Sequence, residues 1–272
     1  MSLLGCLAII EGYIVAYLAP PIHRKLHYLI AGDQIEMTKP IKQLQKMLDD
    51  IAAYPHDPAH EREAMQEFYS QGSMSALIEY ISLAPEDFVR AGGLSYRHPN
   101  GFDKHILASS FNNHYIARLH IWWADCESKD TGVEDIHDHA WDFASLVLVG
   151  SLEVQIFEQF SSQHKTHSHY RCSITSRDLN PKLEFKGLKS LREIYSACVV
   201  SGSNYFLDHR VLHRVHTNVT TATLMLQRPF VRNYSNVYDD RTQHHRSTDI
   251  PISWLTPQEI GLRMYKLGAL LS

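Results

Sequence analysis

Apolar residues in the first third of the chain recur at helical spacing. Ile41, Leu44, Leu48 and Ile51 fall on one helix face, and Thr38 ahead of Pro40 supplies a start signal. Asp57 before Pro58 repeats that logic, an N-cap with proline in the first turn, leading into Met65, Phe68 and Tyr69. A third apolar stretch, Ala76 to Ile81, stops ahead of Ala84-Pro85. The pattern predicts a helical region over residues 1–90 that acts as scaffold. From about Gly92 the period shortens. Tyr115–Trp123 (YIARLHIWW), Ala144–Phe157 (ASLVLVGSLEVQIF) and Ala222–Phe230 (ATLMLQRPF) are runs rich in β-branched and aromatic residues, broken by Gly, Asn, Asp and Ser clusters. They predict a sheet closed or folded on itself over residues 91–240. Thr256-Pro257-Gln258-Glu259 has the form of a capping box that opens a helix to about Leu270, in a C-terminal extension over 241–272. The expected class is α+β, mainly β.

Leu3 to Leu18 is apolar apart from Glu11 and a few small or aromatic residues. It lacks the positive n-region of a signal peptide and falls short of the roughly 20 apolar residues that span a bilayer. Glu11 near its middle makes spanning costly. It reads as a buried or partner-packing helix, with no stable membrane insertion. Ser161–His169 (SSQHKTHSH) is low in complexity, and the histidines at 164, 167, 169, 244 and 245 read as solvated loop residues.

Composition narrows the function. Of 272 residues, 44% are hydrophobic and 21% charged, the balance of an ordinary globular chain. A net charge of -4 gives no electrostatic case for nucleic acid. Cys6, Cys126, Cys172 and Cys198 form no CxxC pair, which excludes a zinc ribbon and suits a reducing, cytoplasmic compartment. All four read as packing residues. Histidine is the outlier: 18 copies, roughly three times ordinary usage.

Two of them stand in Ile136-His137-Asp138-His139. In a strand, residues i and i+2 project to one face, so His137 and His139, about 7 Å apart along it, can converge on one divalent metal. A His-x-Asp start, as in 2-oxoglutarate oxygenases, is absent because position 139 is histidine. A third imidazole is available from Leu207–Asn218, where His209, His213 and His216 compete. Three histidines on one face leave adjacent positions for substrate and dioxygen.

These residues resemble a known family. IHDH at 136–139, the glycine at Gly150 after a strand, and LHRV…N at 212–218 ahead of a strand ending in Pro229-Phe230 look like cysteine dioxygenase and related thiol dioxygenases of the cupin superfamily. The resemblance covers roughly Lys104 to Phe230. It implies a cupin β-barrel of jelly-roll type, preceded by an N-terminal helical block and followed by a C-terminal helix. It matches His137, His139 and His213 to three iron ligands, with Fe(II) as cofactor, nickel or manganese as alternatives, and dioxygen as co-substrate. Asp138, Asp142 and Asp208 are available to accept the ligands' second ring N–H.

The chain also departs from that pattern. The family's cross-linked cysteine falls at Phe143, with Ala144 beside it, and its carboxylate-binding arginine falls near Lys104 and His105. Its Ser-His-Tyr set has no counterpart among Ala222, Leu224, Leu226 or among Thr223, Met225, Gln227. For an anionic substrate, Arg118 and His120 share a strand face with Trp122, and Arg228 ends another strand. A structural ion pair is the alternative for Arg118 and Arg228. Trp122, Trp141 and Phe143 read as core or cavity wall. The expectation is a dioxygenase acting on a small anionic thiol or amino acid, monomeric or oligomeric. The alternatives are a cupin oxygenase for a non-thiol metabolite and a non-catalytic ligand-binding cupin.

Overall fold

The computed structural model describes residues 38–110, 115–124, 134–161, 166–173, 182–239 and 252–271. The apolar stretch Leu3–Leu18, Cys6, Cys126, His164, His244 and His245 lie outside them. No described helix is long and apolar enough to cross a membrane.

Among the described residues four helices come first: α1 (Lys39–Ala53), α2 (Pro58–Ser70), α3 (Ser73–Leu83) and α4 (Pro85–Arg90). Helices α2 and α4 open on a proline and α1 carries Pro40 in second place, where a missing first-turn N–H costs nothing. Asp57 caps α2 as its sequence predicts, accepting from the amides of Ala59 and His60 at 3.0 and 3.2 Å. Thr38 precedes α1 in extended conformation but makes no capping bond. Near the C-terminus α5 (Pro257–Leu271) is closed by the expected capping box: the Thr256 amide donates to Glu259 Oε2 at 2.8 Å, and the Glu259 amide donates to Thr256 Oγ1 at 3.3 Å.

Between them, thirteen strands of the described residues form two antiparallel sheets. The first holds β1 (Leu94–Arg97), β2 (Asp103–Ser109), β3 (Ile116–Trp122), β5 (Phe143–Val149), β9 (Asn204–Leu207), β11 (Thr221–Gln227) and β13 (Ser253–Trp254). Its order is β13-β1-β2-β3-β11-β5-β9. The second holds β4 (Ile136–His137), β6 (Ser151–Gln159), β7 (Thr166–Ser173), β8 (Lys182–Val200), β10 (Leu212–His216) and β12 (Ser235–Asp239), paired in a closed ring β10-β4-β12-β7-β8-β6. Side chains of both sheets meet in one interior: Trp122 and Val147 from the first pack with Leu152, Val154 and Val215 from the second. The architecture is a jelly-roll β-barrel with a helical block before it and a helix after it.

The central strands of the first sheet are buried on both faces, which explains why β3 and β11 read as largely apolar runs. Leu119, Ile121, Ala144, Leu146, Leu148, Ala222, Leu224 and Leu226 point outward into a core shared with Leu44, Leu48, Ile51, Met65, Ile78, Met264 and Leu267 of the helices. By the strand period of two, Arg118, His120, Thr223, Met225, Gln227, Phe143 and Ser145 take the opposite face, toward the barrel interior. The helices are thus the outer wall that fixes which face of β3 and β11 looks inward.

Two sequence expectations change here. His167 is buried on β7 and His169 lies beside it, its Nε2 2.9 Å from Asn236 Oδ1 and its ring stacked on Tyr238 at 4.7 Å. They are strand residues, because β7 is paired on both sides, by β8 and β12. Cys198 is exposed on β8 and does no packing, while Cys172 is half-buried.

Candidate metal centre

The register of the second sheet sets His213 of β10 directly opposite His137 of β4. His139 follows two residues beyond His137, on the same side. The three rings gather with centroids 4.8 Å (137–139), 4.6 Å (137–213) and 5.1 Å (139–213) apart. One nitrogen from each lies within 4.8 Å of the others. The intervening Asp138 points the other way, where it accepts from the Asn236 amide and Asn236 Nδ2, both at 2.6 Å, and pairs with Arg232.

Backbone carbonyls fix the ring orientation. His137 Nδ1–H donates to the Asp135 carbonyl at 2.8 Å, and His213 Nδ1–H donates to the Val211 carbonyl at 3.0 Å. Each bond reaches back two residues and leaves Nε2 with its lone pair toward the cluster. Asp138, Asp142 and Asp208 are therefore not the partners of these two rings; local carbonyls are. Burial, reinforced by the neighbouring His137, pushes His213 down to about 3, and burial holds His139 well below its ordinary value. Both are neutral at pH 7, the form that ligates a metal. The donor set fits a first-row transition metal: neutral imidazoles, one nitrogen free on each carbonyl-tied ring, and separations that a single ion can bridge.

Aromatic side chains wall the cluster. Phe143 meets His139 edge-on at 4.9 Å and His213 at 5.7 Å, while the Trp141 ring lies 5.3 Å from His139. Arg118 sits over Trp141, its guanidinium carbon 4.9 Å from the ring centre. Burial lowers Arg118 to about 10, still protonated at neutral pH. His120 packs 4.8 Å from Phe102 in the same interior, toward the apolar end that Trp122 closes. Arg118 and His120 are thus brought to the cavity side of the sheet. Arg228 is not. Its Nε reaches Glu61 of α2 at 2.8 and 3.1 Å, and its guanidinium lies 4.7 Å over Phe206. Gln227, one residue earlier, takes the inward face, so strand alternation turns Arg228 out to the helices as a structural ion pair.

The other candidate ligands are accounted for. His209 donates from its amide and its Nδ1 to Asp142 Oδ1, at 2.8 and 2.7 Å, and Asp208 is held by Arg210 Nε at 2.8 Å. Asp142, Asp208 and His209 thus form a second cluster that is closed by its own hydrogen bonds. The His216 side chain is exposed, 3.8 Å from Glu153.

Two groups escaped the sequence reading, and a third, Lys104, entered it only as standing near the family's arginine position. Glu134 is buried with Oε2 3.9 Å from His137 Nε2. Tyr205 of β9 faces Ser145 of β5 in register and hydrogen-bonds to it, and burial raises its hydroxyl above the ordinary tyrosine value. Lys104 places Nζ 5.7 Å from the centre of the Tyr96 ring. None belongs to a motif. The alternation of Asn204–Leu207 was the one available signal, and four residues are too few to read it.

No protein-family model matches the chain, and no curated protein matches it. Among solved structures it is similar to an RmlC-like cupin from Shewanella frigidimarina, with 14% identity over 51% of this chain and 85% of that one, at a TM-score of 0.30. Hydroquinone 1,2-dioxygenase from Sphingomonas sp. TTNP3 shares 13% identity over 44% and 62%, at 0.28. Hydroxypropylphosphonic acid epoxidase from S. wedmorenis shares 11% over 50% and 55%, at 0.31. Likeness at this level says nothing about the chemistry of this chain.

Proposed function

We propose that the chain is a mononuclear metal-dependent dioxygenase of the cupin superfamily, of cysteine dioxygenase type, with Fe(II) held by His137, His139 and His213. The observation that carries this reading is the convergence of three imidazoles within 4.8 Å, two of them tied through Nδ1 to backbone carbonyls. Bound iron would supply the redox partner for dioxygen and the affinity for a soft sulfur donor.

The chain's own residues do the rest. Arg118 orients the substrate's carboxylate, a task suited to a planar guanidinium in a buried pocket. Phe143 and Trp141 exclude water from the reacting face. Tyr205, held by Ser145, presents a hydroxyl at the cavity wall. For a thiol substrate the overall change is RSH plus dioxygen to the sulfinic acid. Sulfur gives up four electrons and dioxygen accepts four, so no external reductant is needed. The exposed thiol of Cys198 suits the same reducing compartment.

The test is anaerobic Fe(II) loading followed by dioxygen with a panel of small thiols, 3-mercaptopropionate and cysteine included. Oxygen uptake with sulfinate formation is expected, and no uptake across the panel would overturn this version. One observation favours a non-thiol substrate. Phe143 stands where the family has its cysteine, and Thr223, Met225 and Gln227 face inward where a Ser-His-Tyr set would stand. A product carrying oxygen on carbon rather than sulfur would establish that second reading.

A further inference from the structure

His137 and His213 are each oriented through their own Nδ1, and His139 is the exception: among the described residues no hydrogen bond reaches its ring. That ring is only confined, by Trp141 at 5.3 Å and by Phe143 edge-on at 4.9 Å. Packing limits the ring's travel, yet it does not aim a nitrogen as a hydrogen bond does. The backbone of His139 is held instead. Arg232, between β11 and β12, donates to the His139 carbonyl from Nε at 3.1 Å and from Nη2 at 2.8 Å. Its Nη2 also donates to the His209 carbonyl at 3.2 Å, which accepts from the His139 amide at 3.3 Å. His209 stands four residues before His213. One guanidinium thus spans the two segments, far apart in the chain, that supply the three imidazoles.

Arg232 is itself held in place. Its amide and that of Val231 donate to the Ala140 carbonyl at 3.3 and 2.8 Å, and its guanidinium lies 4.8 Å from the centre of the Tyr234 ring. Asp138, set between His137 and His139 in the chain and 3% exposed, supplies the counter-charge. It pairs with Arg232 Nη2 and accepts from the Asn236 amide and Nδ2 at 2.6 Å each. Without that carboxylate, a guanidinium on the backbone of a ligand would oppose the arrival of a dipositive ion. A planar fork can grip one carbonyl twice and still meet a carboxylate; an ammonium on a flexible stem cannot.

We infer that Arg232, neutralised by Asp138, is a positioning residue of the metal centre: it fixes His139 by its carbonyl and locks that segment to the one carrying His213. The inference rests on the three-histidine centre, and on neither the substrate nor the reaction proposed for it. Co(II) is the probe, titrated without oxygen into the full chain freed of metal. Competition with a chelator gives its affinity, and the visible spectrum reports its geometry. Arg232→Lys and Arg232→Gln should each weaken Co(II) by roughly 10–100-fold and change the spectrum of the bound ion. Asp138→Asn with Arg232→Gln strands no buried charge, and it should show the same loss in a folded chain. Arg263→Lys is the control, because Arg263 meets buried Asp103 at 2.7 Å on the helix side of the first sheet. It should lower the melting temperature and leave Co(II) affinity and spectrum unchanged. Arg232 variants that bind Co(II) as the wild type does, or that lose no more than Arg263→Lys, overturn the inference and leave the metal centre standing. Full affinity with lysine at 232 overturns it too, since charge alone would then suffice. A wild-type chain that takes no Co(II) removes the metal centre and the inference together.

Discussion

Arg228, just past the end of β11, ties that strand to α2 through its buried Nε, which donates to both Glu61 carboxylate oxygens at 2.8 and 3.1 Å. Removing one partner strands the other charge in the core, so Glu61→Leu is expected to cost about 3–5 kcal/mol in urea unfolding. Glu61→Leu with Arg228→Met should recover most of that loss. Oxygen uptake with the thiol panel should not change in the double variant; a loss of uptake there would return Arg228 to the substrate site. His105 gives a pH signature. Burial holds it down to about 4, and its Nδ1 lies 2.7 Å from Ser95 Oγ. Its unfolded value is higher, about 6.5, so the unfolded chain binds more protons between the two. That contribution is fully present above pH about 6.5 and lost as pH falls to about 4, by roughly 3 kcal/mol. His105→Asn should remove its share of the slope of unfolding midpoint against pH; an unchanged slope would refute it. At this scale the sequence showed His137 and His139 plainly, because a spacing of two in a strand puts both on one face. It could not show that the Asp135 and Val211 carbonyls orient the rings, since carbonyl partners carry no side-chain signature. The side taken by Arg228 stayed open for a related reason: one step of strand register decides inside from outside, and the end of a strand gives no register.

Among the elements, the turn from β5 to β6 is the one that sequence chemistry fixes most tightly. Gly150 has φ +77°, and a Cβ there would stand 2.4 Å from the Thr220 carbonyl oxygen and 2.5 Å from Thr221 Oγ1. Gly150→Ala therefore adds a backbone clash to left-handed strain and should cost roughly 2–4 kcal/mol. Gly202, at φ +81° with nothing within 4 Å, is its control: Gly202→Ala should cost about 1 kcal/mol. Equal losses in thermal unfolding would contradict that reading of the turn. Helix starts were legible because proline and capping side chains act locally, as at Asp57-Pro58 and Thr256–Glu259. Strands β7 and β8 were not. Lys182–Val200 pairs along its whole length yet leaves Leu188, Ile194, Tyr195 and Val200 exposed, so its apolar residues mark no buried face. The low-complexity look of Ser161–His169 concealed β7 in the same way.

Over the whole molecule, the helices and the second sheet divide the first sheet between them. One face is a core of aliphatic side chains against α1, α2, α3 and α5; the other carries Arg118, His120 and Phe143 toward the histidines. This division explains why the helical block, which carries no chemistry, still matters to the site: it anchors the strands that present the interior residues. The barrel itself was legible from two separated motifs in order, IHDH and LHRV, placed before and after strand-like runs. What the cavity adds relative to that pattern, Glu134 and Tyr205 above all, depends on contacts between distant strands and could not be read along the chain. The most direct measurement is the metal content of protein purified without chelator, compared with His137→Ala, His139→Ala, His213→Ala and His209→Ala. The wild-type chain and His209→Ala should each hold about one transition-metal ion, and the other three variants should hold less than about a tenth of that. A wild-type protein free of transition metal, or a site emptied by His209→Ala and kept by His213→Ala, would contradict the three-histidine centre.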